Sequence, residues 1–182
     1  MRRRSAIAGA IASLVYCVLG AGPASAAESG CAQAAKLADA TTLKRASRSV
    51  LCLVNGERAR RGIAPLRASR LLARTARAHS RDMVARRYFS HITPNGMNPR
   101  QRIRRSGYLY KSPAARLGET IGWGIERDGT PAELVRAFMQ SASHHDVLLD
   151  RHYRDIGVGL VLGAPIGTTG RGATLTLDFG RR

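Results

Sequence analysis

Apolar positions recur at helical spacing through the first half of the chain. One such face begins near Ser47 and ends before Gly62, a residue type common at helix C-termini. Its members are Val50, Leu51, Val54 and Arg58. A second helix is predicted over residues 68–86, with one apolar face and one cationic face. The apolar face consists of Leu72, Ala76, His79 and Met83.

Two Pro residues mark the beginnings of later helices. Asn98-Pro99 places an N-cap before Pro in the first turn and predicts a short helix near residues 101–105. Thr130-Pro131-Ala132-Glu133 combines a capping box with Pro at the first helical position. This second signal predicts a helix that ends near Ser141.

The C-terminal part of the chain changes to strand-like sequence. Residues 156–162 and 173–179 are predicted strands, and a turn containing Gly, Pro and Thr separates them, which predicts an antiparallel hairpin. Residues 119–124 form either a further strand or a bent loop. Helices followed by strands indicate an α+β fold in which helices pack on an antiparallel sheet.

The N-terminus has the pattern of an export signal. A cationic start precedes the apolar residues 6–19, and Ala24-Ser25-Ala26 resembles a cleavage site. We therefore predict a signal peptide at residues 1–26, an N-terminal tail at residues 27–46 and one folded domain at residues 47–182. An uncleaved anchor is the alternative, although the apolar run is shorter than the about 20 residues of a membrane span. No second apolar span follows, so the mature protein is expected to be secreted or to lie in the cell envelope.

Cysteine usage agrees with an oxidising compartment. Cleavage of the signal would remove Cys17 and leave Cys31 and Cys52. An even number of cysteines in an exported protein favours a disulfide, which here would join the tail to the first helix. Two unrelated thiols, one of them buried, are the alternative.

The chain is strongly basic, with 30 Lys and Arg against 12 Asp and Glu and a net charge of +18. Arginines recur at helical spacing around the second helix, namely Arg67, Arg70, Arg74, Arg77 and Arg81. This face predicts nonspecific polyanion binding, whereas an Arg-rich composition with a solvated face is the alternative. Aromatic residues make up 5% of the chain, and no nucleic-acid recognition motif occurs, so specific nucleic-acid binding is not expected.

Candidate chemistry rests on histidines and one acid. The His-Glu-x-x-His, Gly-x-Ser-x-Gly and phosphate-loop signatures do not occur. His79 is predicted to lie in the core, His91 in a loop, and His144 after a helix end. Glu119 lies between small residues. Sequence spacing alone does not bring His91, Glu119 and His144 together.

An ordered set of short motifs runs through nearly the whole predicted domain, over residues 47–180. The motifs include Asn55-x-x-Arg58, His79-Ser80-x-Asp82-Met83, Phe89-Ser90-His91, Arg102-Ile103, Gly118-Glu119, Ser141-x-x-His144, Tyr153-Arg154-x-Ile156-Gly157-Val158-Gly159 and Asp178-Phe179-Gly180. Together they resemble the bacterial branch of the CAP superfamily, which comprises cysteine-rich secretory proteins, antigen-five proteins and plant pathogenesis-related proteins.

The resemblance implies a three-layer α-β-α sandwich, with a small antiparallel sheet between helices and a central cleft that holds two His and one or two Glu. The cleft residues are then His91, Glu119 and His144, since His144 fits the family's register better than His145. Animal and plant members carry a second Glu one helix turn before the last His. No carboxylate occupies that position here.

Two imidazoles and a carboxylate are able to hold a divalent metal such as Zn²⁺, here at His91, Glu119 and His144, with one position open for water. The alternative is that these side chains hydrogen-bond one another and stiffen the cleft. The favoured function requires no cofactor: a monomeric secreted binding module for a lipid, a cell-wall component or a partner protein. The alternative is a metal-dependent, peptidase-like hydrolase, which would lack the second Glu as its general base.

Overall fold

The computed structural model describes residues 31–110, 115–167 and 169–182. The predicted signal peptide lies outside these residues. The helices are α1 (Leu43–Ala59), α2 (Arg70–Arg86), α3 (Pro99–Arg105), α4 (Pro131–Gln140) and α5 (Ala142–Leu149), with a 3₁₀ turn at Glu126–Gly129. The strands are β1 (Arg67–Ala68), β2 (Arg116–Ile125), β3 (Asp155–Leu162) and β4 (Gly172–Arg181).

The four strands form one sheet in the order β1-β3-β4-β2. β3 and β4 pair antiparallel, which confirms the predicted hairpin, and β2 pairs antiparallel with the other side of β4. Residues 119–124 are therefore part of a strand and not a bent loop. β1 adds a two-residue parallel pairing to β3, so this edge of the sheet departs from the purely antiparallel prediction.

Helices cover both faces of the sheet, which confirms the α+β sandwich. α2 packs on β3 and β4 from one side with α3 beside it, and α1, α4 and α5 form the other layer. Two glycines of β3 permit the close approach of α2. A Cβ at Gly157 would lie 2.1 Å from the carbonyl carbon of Leu72, and one at Gly159 would lie 2.2 Å from that of Ala76. The backbone of α2 therefore rests directly on this strand.

The main hydrophobic core lies between the sheet and the layer of α1, α4 and α5. Val50 and Val54 of α1 pack there with Leu175 and Leu177 of β4. Arg58 lies on the same face of α1 and is fully buried. Its guanidinium donates to three main-chain carbonyls, those of Ala64, Leu148 and Asp150. Val50, Val54 and Arg58 of the predicted face are therefore buried, and Leu51 is partly buried against the same core.

The predicted signals of the later helices are largely confirmed. The whole predicted apolar face of α2 is buried, comprising Leu72, Ala76, His79 and Met83. Asn98 and Gln101 form a reciprocal capping box at the start of α3. At the start of α4, the Thr130 side chain accepts a hydrogen bond from the Glu133 amide. The Glu133 carboxylate pairs with Arg136, so this capping box is only half formed.

The segment before α1 is attached to the rest of the domain. Cys31 and Cys52 form a disulfide, which confirms the predicted bridge and excludes two free thiols. The main-chain amide of Gln33 donates to the Ser49 hydroxyl at 3.1 Å. These contacts fix the chain against the first helix.

The first helix begins at Leu43, earlier than the apolar pattern predicts. Residues 43–46, which the pattern assigns to the tail, form its first turn. The Asp39 carboxylate accepts hydrogen bonds from the amides of Thr41 and Thr42 at 2.8 Å, which satisfies main-chain donors where the helix starts.

A further difference concerns the residues after α4. The sequence pattern predicts a helix end near Ser141 with His144 after it, but α5 begins directly after Ser141, and His144 lies within α5. Over the part of the chain that the structure describes, the helices lack the combination of length and apolar character needed to cross a bilayer.

Candidate functional site

A buried carboxylate lies on the edge strand of the sheet and is paired with a histidine from a loop. Glu119 belongs to β2, and its side chain is 2% exposed. His91 follows α2, and its side chain is 46% exposed. The Nδ1 atom of His91 lies 2.8 Å from Oε1 of Glu119. The structure therefore brings together two of the three predicted cleft residues.

Arg102 of α3 binds the other oxygen of the same carboxylate. Its Nη2 donates to Oε2 of Glu119 at 2.5 Å, and its side chain is 8% exposed. Its Nη1 donates to the main-chain carbonyls of His91 and Met97 at 2.8 and 3.0 Å. One guanidinium thus fixes both the carboxylate and the backbone that carries the histidine.

The ionisation state of Glu119 determines which ring nitrogen of a neutral His91 carries the hydrogen. Burial raises the pKa of Glu119, but the hydrogen bond from His91 and the charge of Arg102 outweigh it, and the pKa lies below its ordinary value. An ionised carboxylate only accepts hydrogen bonds, so His91 donates through Nδ1. In the neutral ring Nε2 then carries the lone pair. Among the described residues, no hydrogen bond occupies Nε2.

A second carboxyl group lies beside Glu119 on the neighbouring strand β4. Asp178 is paired with Glu119 in the strand register and is fully buried. Within the described ranges, neither of its side-chain oxygens has a hydrogen-bond donor. Burial raises the pKa of Asp178 well above its ordinary value, and the charge of Glu119 raises it further. Of the two carboxyl groups, Asp178 therefore holds its proton more tightly than Glu119.

The loop that carries His91 is anchored to α2 through His79. His79 is buried, and its Nε2 lies 3.0 Å from the carbonyl oxygen of Ser90, to which it donates. Burial lowers the pKa of His79, which keeps the ring neutral. This confirms the predicted position of His79 in the core and gives it a positioning role next to His91.

The pair of His91 and Glu119 lines a cavity of about 400 Å³. The rest of the lining comes from the start of α3 and from β2, namely Asn98, Pro99, Arg100, Leu117 and Gly118. On the opposite face of β2, Tyr153 packs so close that position 118 must be glycine. A Cβ at Gly118 would lie 2.4 Å from the Tyr153 hydroxyl. That hydroxyl donates to the carbonyl of Leu117 at 3.0 Å. Tyr153 therefore supports the backbone from which Glu119 projects.

His144, the third predicted cleft residue, lies in α5, which contacts β2. Its ring packs edge-on against Phe138, with the ring centroids 5.0 Å apart. Burial lowers the pKa of His144, and the charge of His91 lowers it again, so this ring is neutral near neutral pH. Among the described residues, no hydrogen bond joins His144 to His91 or Glu119. The structure therefore leaves it outside the hydrogen-bonded pair.

These side chains do not fit a metal ion in their present arrangement. Within the described parts of the chain, no group of three or more His, Cys, Asp or Glu side chains is placed to hold a metal. Both oxygens of Glu119 are engaged, one by His91 and one by Arg102. Zinc binding by His91, Glu119 and His144 stays a prediction that this geometry does not support.

The sequence patterns do not predict Arg102 and Asp178 as members of the site. Both occur in the ordered motifs, in Arg102-Ile103 and in Asp178-Phe179-Gly180. A usable signal was present at Asp178, because an acidic residue inside an otherwise apolar predicted strand indicates a buried polar partner. No comparable signal marks Arg102, since many arginines of this chain lie on exposed helix faces.

Comparisons with known proteins agree with this architecture. The curated relatives include the uncharacterized protein YkwD of Bacillus subtilis, which is 36% identical over 121 residues, covering 66% of this chain and 44% of YkwD. The uncharacterized membrane protein YlbC of the same organism is 29% identical over 113 residues, covering 62% of this chain and 31% of YlbC. The chain thus spans less than half the length of these curated relatives.

Solved structures share the fold. An extracellular protein containing an SCP domain from Bacillus anthracis superposes with a TM-score of 0.63 at 21% identity, over 80% of this chain and 44% of that protein. An outer surface protein from Borrelia burgdorferi superposes with a TM-score of 0.61 at 21% identity, over 76% of this chain and 94% of that protein.

The family assignment follows from the sequence itself. Residues 51–170, more than half of the chain, match the family model described as CAP, the cysteine-rich secretory protein family. The ordered motifs, the sandwich and the structural relatives agree with this match. The chain belongs to the CAP family.

Proposed function

We propose that this chain is a secreted binding module that holds a cell-envelope component in the cleft formed by His91 and Glu119. The decisive contact is made by Arg102, which pairs with the carboxylate and holds the His91 backbone. The pair is therefore rigid, and Nε2 of His91 is the ring atom left for a ligand. A fixed acceptor beside a cavity of about 400 Å³ suits a ligand with hydroxyl or amide donors.

The same contacts support hydrolysis less well than binding. A hydrolase in this cleft would need a base or nucleophile within reach of its substrate. Glu119 is 2% exposed and has a lowered pKa, so its carboxylate is a weak and inaccessible base. The lone pair on Nε2 of His91 is a base beside the cavity, but a metal-dependent hydrolase also needs a metal site, and within the described residues no group of three or more His, Cys, Asp or Glu side chains is placed to form one. His144 is neutral, but no hydrogen bond to another cleft residue orients it among the described residues. Binding is therefore the function we favour over metal-dependent hydrolysis.

Export is part of the proposal. Residues 1–26 have the pattern of a signal peptide, and the bridge between Cys31 and Cys52 is typical of oxidising compartments. The structural relative from Bacillus anthracis is described as extracellular, and the one from Borrelia burgdorferi as an outer surface protein. We place the mature chain outside the membrane, secreted or in the envelope, and expect it to act as a monomer.

The cleft lining favours a wall component over a lipid chain. Asn98 and Arg100 contribute polar groups to the cavity, and Pro99 and Leu117 contribute apolar surface. Such a mixture fits a sugar or peptide fragment, which presents both hydrogen-bond donors and small apolar faces. A lipid or a partner protein would instead call for a more continuous apolar surface.

Titration calorimetry of the purified chain with a soluble disaccharide–peptide fragment of peptidoglycan tests the proposal. His91→Ala is expected to weaken binding at least about tenfold, because a buried ligand donor loses its acceptor. His152→Ala is the matched control, since His152 is exposed and bonded to Asp150 at 2.7 Å, outside the cleft lining.

Three results would contradict the assignment. Equal binding of the fragment by wild type and His91→Ala would show that the cleft does not bind it. Saturable binding of lysophospholipid micelles in place of the wall fragment would identify a lipid ligand. Cleavage of the fragment, seen by mass spectrometry, would favour the hydrolase.

A further inference from the structure

A second cavity, of about 390 Å³, lies between α2 and the segment that contains α3. Its lining shares no residue with the cleft of His91 and Glu119. Residues that line it include Arg74, Ala78 and Asp82 from α2, Met97 from the loop, and Arg102 and Arg105 from α3. The volume is within the range of small-molecule sites, about 300–1,000 Å³.

Positive charge exceeds negative charge in this cavity. The charged residues of its described lining are Arg74, Arg86, Arg102, Arg105 and Asp82, and the lining also includes the neutral ring of His79. Asp82 is already satisfied, because the Tyr88 hydroxyl donates to it at 2.5 Å and Arg86 lies 3.6 Å away. Arg102 is balanced by Glu119. The positive charge that remains belongs to the other two arginines.

Arg74 and Arg105 both line the cavity, and neither forms an ion pair with an acidic residue among the described residues. Nη2 of Arg74 donates to the main-chain carbonyl of Ser106 at 2.7 Å, directly next to Arg105 in the chain. Arg74 therefore reaches across from α2 to the end of α3. Two guanidinium groups in this position suit a carboxylate or a phosphate, whose oxygens they recognise in bidentate geometry.

A buried donor and an apolar wall complete the cavity. Nε of Arg102 is buried and has no hydrogen-bond acceptor within the described residues. Charged donors in buried positions are normally bonded, so this nitrogen leaves one donor of the lining unsatisfied, and a ligand reaches it once the Arg102 side chain shifts slightly. Ala78 and Met97 add apolar surface to the same lining. The cavity thus combines a cationic end, a buried N–H donor and an apolar wall.

We infer that this cavity binds a small organic anion, a carboxylate or a phosphate monoester. Its charged group lies between Arg74 and Arg105, and its short apolar body contacts Ala78 and Met97. This site differs from nonspecific attraction of polymers to the exposed arginines of α2, because its concave shape and its apolar wall favour a small molecule. Anion binding here does not depend on the wall ligand proposed for the other cleft.

NMR titration of the amide resonances tests the inference, with phenyl phosphate, benzoate and inorganic phosphate as probes of the purified chain. We expect saturable shifts at the cavity residues, with phenyl phosphate or benzoate bound more tightly than inorganic phosphate because an apolar ring adds buried surface. The tighter of the two organic probes identifies the class of anion.

Two arginine variants separate a built site from general charge. Arg105→Gln is expected to weaken the better probe at least about tenfold, because it removes charge-assisted hydrogen bonds. Arg81→Gln removes the same charge from an exposed position on α2 outside the cavity lining, and it is expected to change affinity less than about twofold. Equal losses in both variants would overturn the inference. So would inorganic phosphate bound as tightly as the organic probes, or shifts that do not saturate.

Discussion

Arg102 and Glu119 form a buried ion pair in which Nη2 lies 2.5 Å from Oε2. The pair connects α3 to the edge strand β2, and the same guanidinium donates to the main-chain carbonyl of His91. Three segments that are distant in sequence therefore meet at one side chain. The geometry of the candidate cleft depends on this arginine.

Removal of that guanidinium is expected to destabilise the fold. Arg102→Met leaves the buried charge of Glu119 without its guanidinium partner, which should cost about 3–5 kcal/mol of the free energy of unfolding. Urea unfolding measures this loss. Arg104→Met, at an exposed position of the same helix, is the matched control and should change stability by less than about 0.5 kcal/mol.

A double variant distinguishes the ion pair from simple packing. Combining Arg102→Met with Glu119→Gln removes both charges, so part of the lost stability should return. If Arg102→Met behaves like the Arg104 control, or if the double variant is the sum of two independent losses, the ion pair is not what holds the cleft together.

Asp178 gives the fold a pH dependence of a definite sign. Its pKa in the folded chain lies well above the ordinary value of 3.8, so folding retains this proton. Its contribution to stability is therefore present at low pH and is lost as pH rises from 3.8 toward the folded-state pKa. Asp178→Asn keeps the shape without the titration and is expected to gain stability relative to wild type as pH rises.

Urea unfolding of wild type and Asp178→Asn at acidic and neutral pH measures this difference. The lowered pKa of Glu119 makes its contribution to stability rise with pH. Because both proteins contain Glu119, the difference between them reports Asp178. A variant that instead loses stability relative to wild type as pH rises would show that Asp178 is ionised in the fold.

The bridge between Cys31 and Cys52 should contribute measurably to stability. The two cysteines are separated by 21 residues, and closing a loop of that length is expected to contribute about 3 kcal/mol. Unfolding with and without reductant measures the contribution. The double variant Cys31→Ser, Cys52→Ser serves as control, because its stability should not respond to reductant. An equal response in both proteins would contradict the prediction.

The close approach of α2 to β3 depends on glycine. A Cβ at Gly159 would lie 2.2 Å from the carbonyl carbon of Ala76 and 2.4 Å from the amide nitrogen of Arg77, and these backbone atoms cannot move aside. Gly159→Ala should therefore cost at least about 1–3 kcal/mol. Gly167→Ala meets nothing within 4 Å and is the matched control in thermal unfolding. Similar melting temperatures for the two variants would contradict this packing.

Much of the framework follows from periodicity and helix signals. The apolar face of α2, the N-cap at Asn98 and the hairpin of β3 and β4 are local patterns, and the structure contains each of them. β1 is two exposed residues long, so it has no apolar pattern to detect. α5 was not predicted as a separate helix, because it follows α4 at Ser141 without a loop.

The candidate cleft was predicted only in part, because its contacts are long-range. The family resemblance supplied His91 and Glu119, whose pairing joins a loop to a strand 28 residues later. The roles of Arg102 and Asp178 depend on burial and on the charge of Glu119, which single-sequence patterns do not report. His144 illustrates the same limit, since its place beside Phe138 follows from the packing of two adjacent helices.

The hydrogen bond from His91 to Glu119 is the central contact of the cleft, and ¹⁵N NMR of the imidazole nitrogens of His91 tests it most directly. At a pH where the ring is neutral, we predict that Nδ1 carries the proton and Nε2 the lone pair, and that Glu119→Gln alters this preference. A neutral ring protonated at Nε2, unchanged in the Glu119→Gln variant, would contradict the cleft described here.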